Sequence, residues 1–81
     1  MGLLSVYNLG TGREYGYSPE YVTPVRALLM THYIERGQGS EASRLHFKTE
    51  SELETLALAI GMRVGVRTLS LGDLAVRRVP A

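Results

Sequence analysis

Apolar and polar positions alternate at both ends of the chain and recur at helical spacing in its middle. Leu3-Leu4-Ser5-Val6-Tyr7-Asn8-Leu9 is rich in residues that suit a pleated surface, and Gly10-Thr11-Gly12 closes it as a turn. Arg13-Glu14-Tyr15-Gly16-Tyr17 reads as the returning strand of a hairpin. Tyr15 and Tyr17 share one face of it, because side chains alternate along a strand. Ser18-Pro19-Glu20 and Thr23-Pro24 are two successive helix-start signatures, a capping hydroxyl followed by a proline. One straight helix through Pro24 would lose a hydrogen bond there. The pattern therefore predicts a short turn over 19–22, then a kink or a restart of the helix at Thr23. Val25, Leu28, Leu29, His32, Tyr33 and Arg36 then follow helical spacing, and Gly37 stops the helix in a left-handed conformation.

After a flexible loop over 37–43, Arg44-Leu45-His46-Phe47-Lys48 alternates, with Leu45 and Phe47 facing inward. It reads as a short half-buried strand. Thr49-Glu50-Ser51-Glu52 is a capping box, and Leu53, Leu56, Ala57 and Ile60 fall on one face of the helix that follows, ended by Gly61. Met62 to Thr68 alternates again, with Met62, Val64, Val66 and Thr68 on one face and Arg63, Gly65 and Arg67 on the other. Ser70-Leu71-Gly72-Asp73 is the turn into a last strand, Leu74-Ala75-Val76-Arg77-Arg78-Val79. The predicted class is α+β: a small mixed or antiparallel sheet with two helices on one face, in the order β-β-α-β-α-β-β. Residues 1–81 read as a single domain, without internal repeat or linker.

Composition narrows the function more than it names one. A chain of 81 residues buries only roughly 60% of its unfolded surface, and with no cysteine it has no disulfide to help. A core this thin gains stability from a homodimer or a large partner. Two histidines without cysteine make a structural zinc site improbable. No apolar run approaches the length of a membrane span, and the opening apolar stretch lacks a basic leader, so the expected setting is the cytoplasm.

No segment carries a catalytic pattern. Gly10, Gly12 and Gly16 miss the dinucleotide-binding spacing by one residue and join two strands, where a phosphate loop needs a helix after it. His32, His46 and the single aspartate, Asp73, fall on different elements, and no nucleophile elbow accompanies them. Glu50, Glu52 and Glu54 sit where the helix dipole favours negative charge. The expectation is a non-enzymatic protein with no catalytic residues, cofactor or metal.

Two surfaces are candidates for binding a partner. Four of the five tyrosines lie within residues 7–21, and tyrosine is enriched at interfaces; Tyr15 and Tyr17 are the candidates there. Charge is uneven as well. Residues 1–61 hold five Lys/Arg and seven Asp/Glu, while residues 62–81 hold four Arg and one Asp. Arg63, Arg67 and either Arg77 or Arg78 are expected to form a basic stripe on the solvent face of the C-terminal hairpin, all four being candidates, extended by Arg44 and Lys48 if the third strand lies alongside. Such a stripe suits acidic protein or phosphate. A net charge of +1 is small for a nucleic-acid binder, and the aromatics lie at the opposite end of the sequence from the arginines.

From Val6 to Glu20 the chain resembles the opening of short orphan proteins of phages and mobile elements: a strand, a glycine turn, a second strand, then Ser18-Pro19-Glu20. Pro24 departs from the uninterrupted helix of such proteins. Small anti-CRISPR proteins belong to this pool of compact, cysteine-poor chains. The resemblance implies an inhibitor that occludes a host protein or ribonucleoprotein complex, such as a CRISPR effector, in the host cytoplasm. It carries no site residues over. The alternative is a small nucleic-acid-binding regulator that uses the arginine stripe.

Overall fold

The computed structural model describes residues 2–80. A five-stranded antiparallel sheet is built from β1 (Leu3–Asn8), β2 (Glu14–Tyr17), β3 (Arg63–Val64), β4 (Leu69–Leu71) and β5 (Leu74–Val79). Its strand order is β2-β1-β5-β4-β3, so the two ends of the chain meet at the centre of the sheet. Three helices, α1 (Pro24–Glu35), α2 (Gly39–Arg44) and α3 (Glu50–Ala59), lie between β2 and β3 in sequence, with a 3₁₀ turn at Leu45–Phe47. The order is therefore β-β-α-α-α-β-β-β, which corrects the expected β-β-α-β-α-β-β with two helices.

α1 lies on the sheet against β1, β4 and β5, and α2 and α3 pack on α1. It starts where its sequence signature places it, with the Thr23 hydroxyl accepting from the Arg26 N–H and Pro24 in the first turn. Before it, the N–H groups of Tyr21 and Val22 both reach the Ser18 carbonyl and close the expected turn. Ala27, Leu28, Leu29 and Thr31 are fully buried, at positions that wrap around the helix. A helix with one solvent face would bury a single stripe.

The ends of α1 and α3 share one device. Gln38 N–H bonds the Tyr33 carbonyl and Gly37 N–H that of Ile34. Met62 N–H bonds Ala57, and Gly61 N–H bonds Leu58. These pairs satisfy the last carbonyls of each helix by way of a glycine in positive φ, +74° at Gly37 and +110° at Gly61. α3 opens on the predicted capping box: Thr49 accepts from the Glu52 N–H, and the Glu52 carboxylate accepts from the Thr49 N–H. That hydrogen bond to its own cap holds Glu52 below the ordinary carboxylate range.

Several local expectations are overturned, beginning with the flexible loop over 37–43, most of which belongs to α2. Residues 44–48 are the end of α2 and the 3₁₀ turn rather than a strand. Ala42 and Leu45 are both buried three residues apart, whereas Phe47 is 89% exposed. Five residues fit a period of two or of three, and burial here follows the helical one. The Arg26 guanidinium fixes the turn by donating to the carbonyls of Leu45 and Lys48 and meeting Glu50 at 3.5 Å.

Met62 to Thr68 is likewise not one strand. Gly65 N–H bonds the Thr68 carbonyl at 2.8 Å and folds the segment into a hairpin between β3 and β4. Met62 is buried at the end of α3, while Val64 is 68% exposed and Val66 lies in the open. Leu69 to Leu71 is a strand, so the turn into β5 is confined to Gly72 and Asp73. On α3, Leu53 and Ala57 are buried and Leu56 packs against the core, but Ile60 is 38% exposed, because the helix ends at Ala59 and Ile60 is its cap.

Replacing Leu28 with alanine should cost about 2–5 kcal/mol, because a cavity opens between α1 and its neighbours. Gly37→Val should cost roughly 1–2 kcal/mol through its left-handed backbone alone, since nothing lies within 4 Å of the added Cβ. Urea unfolding midpoints measure both, and an unchanged midpoint for either refutes the corresponding packing or cap.

Candidate functional site

β5 is longer than its neighbour on one side. It is in register with β1 from Leu74 to Val79, but with β4 only through Leu71↔Leu74 and Ser70↔Ala75. Beyond that point the chain turns away at Gly65–Thr68, and the Thr68 hydroxyl donates to the Val76 carbonyl at 2.6 Å. That bond ends the ladder. The gap between the turn and β5 is a groove of about 560 Å³. Leu4, Leu69 and Val76 form its apolar floor, residues 65–68 one wall, and Pro24 lies at its margin.

The sheet divides the arginines of the expected stripe. Arg78 is paired with the buried Leu4 and so lies on the face that α1 covers. It lines the groove together with Arg67. Among the described residues, neither has a carboxylate within 4 Å. Arg77 contributes to the groove wall, but its guanidinium belongs to the opposite face. There it lies 3.6 Å from Glu14 and 5.1 Å from the centre of the Tyr7 ring. The Ser5 hydroxyl donates to Glu14 at 2.7 Å. This hydrogen bond, with the Arg77 charge beside it, holds the Glu14 carboxyl below its usual range against a desolvation that pushes it up. Arg63 pairs with Ser70 on the same outer face, at the far edge of the sheet. Arg44 belongs to the helical layer, paired with Glu41, and Lys48 follows the 3₁₀ turn there.

Tyr15 and Tyr17 face α1. The Thr31 hydroxyl donates to the Ala27 carbonyl at 2.8 Å, so it accepts from the Tyr17 hydroxyl at 2.7 Å. Tyr15 donates to Glu35 at 3.1 Å, and the Asn8 amide donates to the same carboxylate at 3.0 Å. Both rings pack against the core, and burial pushes the Tyr17 phenol above its ordinary value. These residues seat the hairpin on α1. The tyrosines placed for outside contact are Tyr7, under Arg77, and Tyr21, which is largely exposed.

Sequence reasoning missed Thr68, Leu69 and Pro24 as groove residues. Gly65 was the available signal, since a glycine inside an alternating run marks a bend. His32 and Asp73, apart in sequence, line a smaller hollow of about 320 Å³ with Asn8, Glu35 and Arg36. Its lining holds no serine, threonine or cysteine. Partial burial and the nearby Arg36 lower the His32 pKa, against a smaller opposing effect of Glu35. His46 lies in the 3₁₀ turn, away from both. Comparison with family models, with curated proteins and with solved structures finds no match for this chain.

Tyr17→Phe should cost about 1 kcal/mol, the worth of one hydrogen bond. The raised pKa also sets a pH dependence. Neutral Tyr17 favours the fold, so its contribution is whole below pH 10.0 and is lost as pH rises through the raised folded-state value. Unfolding midpoints between neutral pH and pH 11 should fall for the parent chain and fall less for the phenylalanine variant. Parallel curves refute the assignment.

Proposed function

We propose that the protein is a non-enzymatic binding module that docks a partner protein through the groove flanked by Arg67 and Arg78. One observation carries this reading: two arginines with no acidic partner among the described residues stand over an apolar floor, beside a strand that has lost its neighbour. Apolar contact with a few placed charges is the makeup of a protein docking site. The two cations favour an acidic partner and speed its approach. A nucleic-acid backbone suits the site less well. Arg77 is already engaged by Glu14, and Glu14 itself lies on the outer sheet face, where it repels phosphate.

The resemblance of residues 6–20 to small phage-type proteins adds the kind of partner: a host protein or ribonucleoprotein complex, such as a CRISPR effector, inhibited by occlusion. The setting that goes with it is the host cytoplasm, and no helix among the described residues is long and apolar enough to cross a membrane. The second reading, a nucleic-acid-binding regulator, gains one point. The strand order sets Tyr7 under Arg77, although aromatics and arginines lie at opposite ends of the sequence.

Affinity purification from host lysate tests both, using the parent chain and an Arg67→Ala/Arg78→Ala variant. The variant should keep its unfolding free energy to within about 0.5 kcal/mol, as exposed positions do. The parent should retain a stoichiometric protein partner that the variant loses. Equal retention by both removes the groove from the account. Recovery of nucleic acid alone, released steeply by salt, favours the second reading.

A further inference from the structure

We propose that the groove takes an extended acidic segment of a partner protein as an added strand on the free edge of β5. The proposal rests on the reading of the groove as the docking element and names its occupant.

The free edge has a definite chemistry. The Leu9 N–H bonds the Asp73 carbonyl, and the Thr68 hydroxyl bonds the Val76 carbonyl. Asp73 therefore points to β1 and Val76 away from it, and alternation along the strand fixes the rest. Ala75, Arg77 and Val79 turn their backbone groups to β1, whereas Leu74, Val76 and Arg78 turn theirs to the β4 side. β4 is in register only as far as Ala75. Among the described residues nothing on that side pairs with the N–H and C=O of Arg78, which are left as an open donor and acceptor beside the groove. An added strand supplies both partners at once, which is how exposed sheet edges capture extended peptides. The sugar-phosphate backbone of DNA has no donor for the Arg78 carbonyl.

The chain's own turn cannot fill that place. Gly65 and Thr68 hydrogen-bond to each other across the turn, and the Thr68 side chain is anchored on Val76. The floor of Leu4, Leu69 and Val76 gives an incoming apolar side chain something to cover. The charge selects the rest of the segment. Arg67 and Arg78 have no carboxylate within 4 Å among the described residues, so acidic side chains fit and basic ones are repelled.

The test uses the full chain, isotope-labelled, with a capped peptide of repeating Val-Thr-Glu-Thr as probe, in which valine and glutamate share the face turned to the groove. Controls are the same peptide with lysine in place of glutamate, the acidic peptide with N-methylated amides, and a short oligothymidylate. Saturable binding of the acidic peptide is expected, with hydrogen exchange of the Arg78 amide slowed about tenfold or more. N-methylation should abolish binding, and Arg67→Ala/Arg78→Ala should weaken it about tenfold. Equal binding of the N-methylated peptide, with Arg78 exchange unchanged, overturns strand addition and leaves the groove reading standing. Arginine-dependent binding of oligothymidylate without binding of the peptide also overturns strand addition, and favours the nucleic-acid reading of the groove. Protection of Arg78 that grows with protein concentration alone makes a second copy of this chain the occupant and overturns the proposal. Binding by none of the probes overturns both the added strand and the groove beneath it.

Discussion

The fold depends on α1 being covered on more than one side. Four of its residues, Ala27, Leu28, Leu29 and Thr31, are wholly removed from water at positions that no single face contains. The sheet meets one side of the helix, and α2 and α3 meet others. Polar contacts on both sides hold those layers in register, and no buried side-chain nitrogen or oxygen among the described residues is left unpaired. Tyr17 donates to Thr31 from the sheet side. On the helical side, Arg26 takes the carbonyls of Leu45 and Lys48, and the Thr23 hydroxyl donates to Glu50 at 2.7 Å. In a chain of 81 residues this arrangement gathers most of the large aliphatic side chains around one helix, while Leu3, Leu9, Val64 and Val66 stay exposed. The outer face of the sheet is left with no helix over it.

Elements whose signals are local were legible in the sequence. Thr23-Pro24, the Thr49/Glu52 box and the glycines at 37 and 61 each specify a helix end through their own backbone chemistry, and each is found where it was read. The first hairpin is there as well, because a glycine turn between two alternating runs leaves little choice. Elements that depend on distant neighbours were not legible. Residues 44–48 alternate as a strand would, yet no strand is there to pair with them, and Arg26 binds their carbonyls instead. Met62 to Thr68 alternates too, but Met62 belongs to the cap of α3 and Gly65 bends the remainder into a hairpin. In both, periodicity over a few residues gave way to tertiary hydrogen bonds.

The site was legible only in its residue types. Arginine enrichment in the last quarter of the chain was plain, but face assignment depended on the strand register. Because Arg77 and Arg78 are adjacent on β5, alternation sends them to opposite faces. One is engaged by Glu14 and Tyr7, and the other stands over the groove with Arg67. Tyr15 and Tyr17 show the same dependence in reverse. Their spacing placed them on one face correctly, but only the position of α1 showed that this face is turned inward.

Edge strands with free backbone groups are a hazard that proteins cover, bend or charge. Here β4 stops short, Thr68 closes the last paired carbonyl, and two arginines guard the opening. The account therefore turns on whether β5 is open at Arg78 in the free protein. Native-state amide hydrogen exchange at neighbouring residues of β5 measures this directly. Arg77, paired into β1, should be strongly protected, while Arg78 exchanges at close to the rate of an unstructured amide. Equal protection of the two would contradict the account, because it would mean that the edge is already filled.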